Sequence, residues 1–340
     1  MSDPIIRLTT EEDIGAIIQL FLPQKRDPET FQWVITDGDN KFRSFVAEID
    51  NQIVGHIAYV STQYEYQGNI YTGVFTIEWI VNPQFSGQVG LKLYSKVLKI
   101  GDFTFIIGGT EVVNQIYPLL KFNQPLNVLK FLKVTRPLQY FQALDTKAWK
   151  KVAKTLYYSR PSLSFKAASF FNAVSLCVLE PGKGLLPGID PCTVVNTCQE
   201  EHFHWLLKTP GVQVHSFTIK RSEVPIGTAM CYTQCVQGVM SGRIVFVSLL
   251  PTENSIWEQV LVCLEDFLVE QGCCVITTLA SYAPFIDALR KSGHVVTHEL
   301  PLWLKDRNKL FRDASWHFTY FEGDLAYRGI HLTDFTLEDV

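Results

Sequence analysis

The stretch EWIVNPQFSGQVGLKLYSKVLK, Glu78 to Lys99, decides how the rest of the chain is read. Its first residues are an apolar strand carrying one carboxylate, Glu78. A proline and the glycines at 87 and 90 then mark a turn, and the residues after it place apolar side chains on one helical stripe. A strand, a glycine turn and a helix in that order can aim backbone amides at an anion, or can simply pack a helix closely on a strand.

Working outward, the opening IRLTTEEDIGAIIQLF reads as a short strand, a threonine N-cap with acids in the first turn, and a helix with Ile14, Ile17, Ile18 and Phe21 on one face. FRSFVAEIDNQIVGHIAYVS alternates about Asp50-Asn51, a hairpin signature. GVFTIEWIVNP is the next strand, GQVGLKLYSKVLKIG the helix after it, FTFIIGG a further strand and EVVNQIYPLLKF a second helix. The order then returns. Gly55 corresponds to Gly227 at an offset of 172, Pro83 to Pro251 at 168 and Phe122 to His294 at 172, through matching text. The chain reads as a duplication, with domains at 1–140 and 191–340 and a helical linker at 141–190. That linker is broken at Pro161 and closed by the Gly- and Pro-rich EPGKGLLPGIDP.

With 340 residues, 47% of them hydrophobic and 13% aromatic, the chain has material for two cores. A net charge of −4 and the lack of a Lys or Arg run argue against nucleic acid or an acidic membrane as partner. No apolar run nears the roughly 20 residues of a spanning helix. The opening lacks the order of a signal peptide, so the expected compartment is the cytoplasm. Of eight cysteines, Cys231/Cys235 and Cys273/Cys274 lack His or Cys partners at zinc spacing. They read as reduced core thiols, and no metal is expected.

The order strand, helix, hairpin, strand, glycine turn, helix, strand, helix resembles the GNAT superfamily of acyl-CoA-dependent N-acyltransferases, in tandem. The first copy carries it in DIGAII, VAEIDNQIVGHIAYV, WIVNPQFSGQVGLKLYSKVL and YPLLKF; the second in VPIGTAMCY, VSLLPTENSIWEQVL and FIDALRKSGH. The resemblance spans about residues 4 to 140 and 191 to 321. It implies a mixed α/β fold with mostly antiparallel central sheets, and acetyl-CoA or another acyl-CoA as co-substrate.

The family's phosphate motif is Gln or Arg, Gly three residues later and a small residue two beyond. Gln84 and Gly87 match it; Val89 holds the last position and Gly90 comes one place late. If a residue has been lost from the turn, the amides of Gln88, Val89 and Gly90 face the phosphates; if not, Val89 intrudes on the cradle. By the same resemblance, the strand backbone at Ile80 and Val81 meets the co-substrate, and an amide between Ile80 and Asn82 meets the oxyanion. Glu78 falls where many members carry a Glu, and a half-buried carboxylate with a raised pKa there takes the amine's proton; the alternation with Ile77 and Trp79 equally fits a Glu78 that faces solvent on the polar side of the sheet. Tyr117 matches the family's proton donor to the thiolate, although Lys121 replaces the usual Gly and Pro118 sits inside the helix; the residue reads equally as an aromatic packed on the helix face. Asn114 either bonds the co-substrate or caps its turn.

In the second copy PTENSIWEQ has no glycine, while Thr252, Asn254 and Ser255 suit a helix cap. That copy reads as scaffold, substrate wall or dimer contact. At the C-terminus, WHFTYFEGDLAYRG alternates His317, Thr319 and Phe321 against Trp316, Phe318 and Tyr320, leaving Glu322, Asp324 and Arg328 past the strand in a solvated turn or an acceptor loop. His202 and His204 fall on different helix faces, which disfavours a metal site. The expected function is acyl transfer, most plausibly of acetyl, to the primary amine of a small acceptor. Expected partners are that acceptor and a homodimer mate, with no nucleic acid and no membrane. A non-catalytic binding module and an aminoacyl transferase of related fold share the same text.

Overall fold

The structure is a computed structural model and describes residues 3–21, 28–35, 43–85, 87–109, 111–144, 147–159, 174–179, 191–197, 199–236, 238–251 and 253–323. Pro161, Thr252, Asp324, Arg328 and the loop at 180–190 lie outside them. Strand β1 (Ile5–Leu8) leads through a 3-10 turn, Glu11–Asp13, into α1 (Ile14–Phe21). Thr10 secures that start by donating its backbone N–H to the Asp13 carboxylate at 2.8 Å. After α2 (Pro28–Ile35), β2 (Ser44–Ile49) and β3 (Gln52–Tyr66) form the expected hairpin. Asp50 and Asn51 take φ of 49° and 63°, the left-handed pair that suits a two-residue turn between twisted strands. The turn Gln67-Gly68 repeats the device, with φ of 51° and 75°, and leads into β4 (Asn69–Val81). Then α3 (Gln88–Val97), β5 (Phe103–Ile107), α4 (Glu111–Leu119) and β6 (Asn123–Val134) complete the first copy.

Helices α5 (Pro137–Ala143) and α6 (Ala148–Tyr158) follow, and then β7 (Val174–Val178), a strand inside the stretch that reads as helical linker. It pairs with β9 as β1 pairs with β2. After β8 (Thr193–Asn196) and α7 (Glu200–Leu206), the second copy runs β9 (Gln213–Arg221), β10 (Val224–Val236), β11 (Val239–Leu249), α8 (Asn254–Glu270), β12 (Val275–Ala280), α9 (Ala283–Lys291) and β13 (Val295–Asp306), with β14 (Ser315–His317) beyond. The offset of 172 is carried by whole elements. Helices α4 and α9 are nine residues each, β6 and β13 twelve each, and each pair starts 172 apart. The step to 168 arises in the β10–β11 hairpin, whose arms between Gly227 and Leu249 are each two residues shorter than those between Gly55 and Val81.

Where the sequence suggests separate central sheets, the structure has one, ordered β1-β2-β3-β4-β5-β13-β6-β12-β11-β10-β9-β7. It is mixed and mostly antiparallel. Strand β13 lies between β5 and β6, and β6 between β13 and β12, so each copy's last strand enters the other's half. The copies cannot separate without breaking backbone ladders. Helices α3 and α4 cover the first half over Ala47, Ile57 and Val74, and α8 and α9 cover the second over Ile244, Val247 and Ile276. The remaining core joins both copies: Ile17 and Phe31 share it with Tyr64, Phe105, Trp205, Tyr232 and Phe321.

Two local expectations need correction. Glu322 is not in a solvated turn: Trp316 to Gly323 are all buried, with Phe321 packed against Phe246 and His202. The 3-10 turn Tyr320–Glu322 lets its carboxylate accept from the backbone N and hydroxyl of Thr319 at 2.7 and 2.9 Å, and burial pushes the group up to about 8. The cap of α8 is Glu253, one residue before Asn254, and its side chain makes no capping bond. Among the cysteines Cys231, Cys273 and Cys274 are buried, whereas Cys235 is exposed. No helix among the described residues is long and apolar enough to cross a membrane.

Candidate active site

The sheet opens at two of its parallel pairs, β4–β5 and β11–β12. Strands β4 and β5 pair only from Gly73 opposite Phe103 to Phe75 opposite Phe105. Beyond Phe75, β4 continues to Val81 with its β5-side backbone released from that ladder. Between the pairs Ile77–Ala58 and Ile80–His56, Glu78 and Trp79 on β4 face only Ile57 on β3. This is a β-bulge, and Glu78 sits in it half-buried with φ of 49°. His56 Nδ1 is 3.0 Å from the Glu78 carbonyl. A carbonyl only accepts, so that nitrogen carries the proton. Burial pushes His56 down to about 4, which leaves the ring neutral near pH 7, held between Phe21 and Phe31 at 5.9 and 5.6 Å.

After β4 the two glycines serve different needs. Gly87, the N-cap of α3, takes φ 90° and ψ −96°, and nothing lies within 4 Å of where its Cβ would stand. It is required by conformation alone. Gly90 is favoured by space, since a Cβ there would stand 3.3 Å from the Trp79 ring, which would have to give by a few tenths of an ångström. Val89 does not intrude on the turn. Its side chain is buried against the sheet, 3.3 Å from where a Cβ on Gly55 would be. The first intrahelical bond is Leu91 N to Gly87 O at 3.1 Å, so the amides of Gln88, Val89 and Gly90 precede the helical ladder. Gln84 and Gln88 are exposed beside this turn, and Gln84 N donates to Asn82 Oδ1 at 3.1 Å.

Tyr117 and Asn114 stand one layer behind. Trp79 stacks on Tyr94 at 5.1 Å, Tyr94 meets Tyr117 at 6.4 Å, and Tyr117 meets Trp303 at 5.7 Å. Tyr117 is only 3% exposed within this cluster. Asn114 clamps the turn to the second copy: Oδ1 accepts from Trp303 Nε1 at 2.9 Å and Nδ2 donates to Gly109 O at 3.3 Å. Lys121 takes φ of 61°. Phe122 N reaches back to Tyr117 O at 3.0 Å, closing α4 one residue after Pro118 has removed a donor.

The second copy opens the same way but is filled. Its β11–β12 ladder ends at Ile244 opposite Thr278. Ser281 then donates to Trp316 O at 2.6 Å and accepts from Phe318 N at 2.8 Å, while His317 Nε2 lies 2.6 Å from Val247 O. Trp316 and Phe318 join the shared core; His317 meets Trp257 and Tyr282 on the α8 side. The segment 316–318 thus occupies the gap between β11 and β12, and α8 beside it begins on a carboxylate.

A separate groove of about 640 Å³ runs between α1 and the β2–β3 hairpin, lined by Arg7, Glu12, Asp13, Gln19 and Glu48. Its cation is already engaged, Arg7 reaching Asp13 at 2.6 Å and Glu48 at 2.9 Å. Sequence reading missed His56, Trp79 and Trp303, and gave residues 316–318 no role in the gap between β11 and β12. His56 had a signal, a polar residue sharing an inward strand face with Ala58 and Val60. Trp303 comes from the other copy and had none.

The sequence matches no protein-family model and no curated protein. The fold does match solved structures. A GCN5-related N-acetyltransferase from Anabaena variabilis aligns over 90% of this chain and 73% of its own, with a TM-score of 0.58 and 11% identity. The N-myristoyltransferase of Saccharomyces cerevisiae with bound myristoyl-CoA aligns over 90% and 83%, with a TM-score of 0.52 and 9% identity. A GCN5-related N-acetyltransferase from Kribbella flavida aligns over 89% and 70%, with a TM-score of 0.50 and 11% identity. The likeness is one of fold: this chain has the tandem GNAT fold, two copies sharing one sheet.

Proposed function

We propose that the protein is an acyl-CoA-dependent N-acyltransferase, using acetyl-CoA and a small primary amine, with one working site per chain in the first copy. The observation that carries this reading is the asymmetry between two otherwise matching halves. In the first, the strands part beside a glycine-started helix; in the second, residues 316–318 fill the parting and Glu253 heads the helix. A duplicated fold keeps its core in both copies and needs its site in only one.

In this reading the amides of Gln88, Val89 and Gly90 hold the phosphates at the positive end of α3, with Gln84 alongside. The β4 backbone at Ile80 and Val81, released from β5, offers hydrogen bonds to the pantetheine arm. Glu78 takes the proton of the attacking amine, and an amide just after the bulge meets the oxyanion. Tyr117, buried behind Tyr94 and Trp79, supports the wall of the site by packing instead of reaching the thiolate, and Asn114 holds the turn beside it. Donor selectivity among acyl-CoAs is read by the same experiment.

The test is thermal denaturation with acetyl-CoA and with longer acyl-CoAs, followed by thiol release in the presence of small amines. A ligand at 100 times its dissociation constant adds about 2.7 kcal/mol of stability. No shift with any acyl-CoA at millimolar concentration would falsify the enzyme reading; a shift only with long chains would replace acetyl by a fatty acyl donor.

A further inference from the structure

Helix α6 is built the wrong way round for a helix packed on a water-facing surface. At about 100° per residue, Thr155 and Tyr158 point inward, and Tyr158 meets Tyr140 of α5 at 6.4 Å. The outward arc carries Ala148, Trp149, Val152, Ala153, Leu156 and Tyr157, with no charge among them. Trp149 is 67% and Leu156 71% exposed, and Leu138 of α5 is 70% exposed. Single apolar residues on a surface are ordinary, but a whole helix face of them calls for an occupant.

Charge says what kind. Between Arg136 and Arg160 the chain has six basic residues, Arg136, Lys147, Lys150, Lys151, Lys154 and Arg160, against one acid, Asp145, a net of +5 in a chain whose net is −4. The overall charge conceals this concentration. Two copies meeting face to face through α6 would bring like charges together, which disfavours a dimer here. An apolar arc with Trp, edged on one side by Lys150 and Lys154 with Lys147 at the helix start, is the composition of a helix lying in the plane of an anionic bilayer, its apolar face at the headgroup boundary and the stems of those lysines reaching round to the phosphates.

We propose that the α5–α6 face docks on an anionic lipid surface. The proposal departs from the expectation of no membrane partner and does not depend on the acyl-transfer reading. The experiment is co-sedimentation of the full chain with phosphatidylcholine vesicles, with and without phosphatidylglycerol. Binding is expected only with the anionic lipid and is expected to weaken as salt shortens the Debye length from about 10 Å to about 3 Å. Leu156→Glu and Trp149→Glu, at exposed positions, should each reduce it about tenfold or more without changing Tm. The double variant Lys147→Glu, Lys150→Glu, at the start and edge of the apolar arc, should remove the preference for anionic lipid. No sedimentation with either lipid, binding that ignores these substitutions, or a concentration-dependent dimer broken by Leu156→Glu would each overturn the proposal.

Discussion

His56 donates from Nδ1 to the carbonyl of Glu78 at 3.0 Å, fastening β3 to the bulge from which the Glu78 side chain departs. The left-handed conformation of Glu78 has no glycine to ease it, so this bond helps to hold a costly backbone geometry. His56→Phe keeps the aromatic volume and removes the donor. It should destabilise the fold by about 1–3 kcal/mol and lower kcat while leaving the KM for acyl-CoA near its starting value. Unchanged turnover would show that the bulge holds without it.

Gln88→Glu separates the two effects of charge at the start of α3. A carboxylate in the first turn complements the helix dipole and should add about 0.3–1 kcal/mol of stability. It should weaken acyl-CoA binding, because it sits beside amides meant for phosphate. Denaturant melts and calorimetry on one variant check both signs, and affinity that rises with stability would place the phosphates elsewhere.

Acid should unfold the protein early. Burial pushes His56, His202 and His317 down to about 4, 3 and 4, and His294 well below its ordinary value. Unfolded histidines take up protons near pH 6.5, so these groups contribute fully above that pH and lose about 1.4 kcal/mol each per unit as pH falls towards their folded values. Glu322, raised to about 8, acts in the opposite sense and gains stability as pH falls from 8 towards 4.5. Four histidines outweigh Glu322 together with Glu265, whose carboxyl burial also raises. The net loss should be about 2–4 kcal/mol per unit between pH 6 and 5. Urea melts giving the same free energy at pH 7 and pH 5 would refute this.

A buried charge cluster clips the exchanged strands. Lys133 on β6 pairs with Glu265 on α8, and Glu265 also lies 3.3 Å from Nδ1 of His294, which Ser292 Oγ meets at 2.7 Å. Burial raises the Glu265 carboxyl against the lowering influence of Lys133. Lys133→Met strands that carboxylate and should cost about 3–5 kcal/mol. Adding Glu265→Leu should restore most of the loss. A double variant no better than the single one would mean that packing, not charge, is at stake there.

What the sequence made legible was local. The Asp50-Asn51 turn and the helix after Gly87 rest on residues near one another in the chain, where turn chemistry and periodicity act, and the offset between copies rests on local text repeated along it. The crossing of β6 and β13 left no such trace, because a strand looks the same whichever neighbour accepts its hydrogen bonds. The glycines read as one motif, yet Gly87 answers to backbone conformation and Gly90 to the bulk of Trp79, a distinction only packing makes. WHFTYFE read as a strand with its acids in solvent, since nothing local announces that a gap between β11 and β12 awaits it.

The central claim is that one copy of the fold keeps its site and the other has filled it. Titration calorimetry with CoA tests this most directly, because it needs no acceptor and counts sites. The expected result is one site per chain, weakened by Gln88→Glu and unaffected by Glu253→Gln at the head of α8. Two sites per chain, or a single site lost with Glu253→Gln and kept with Gln88→Glu, would contradict it.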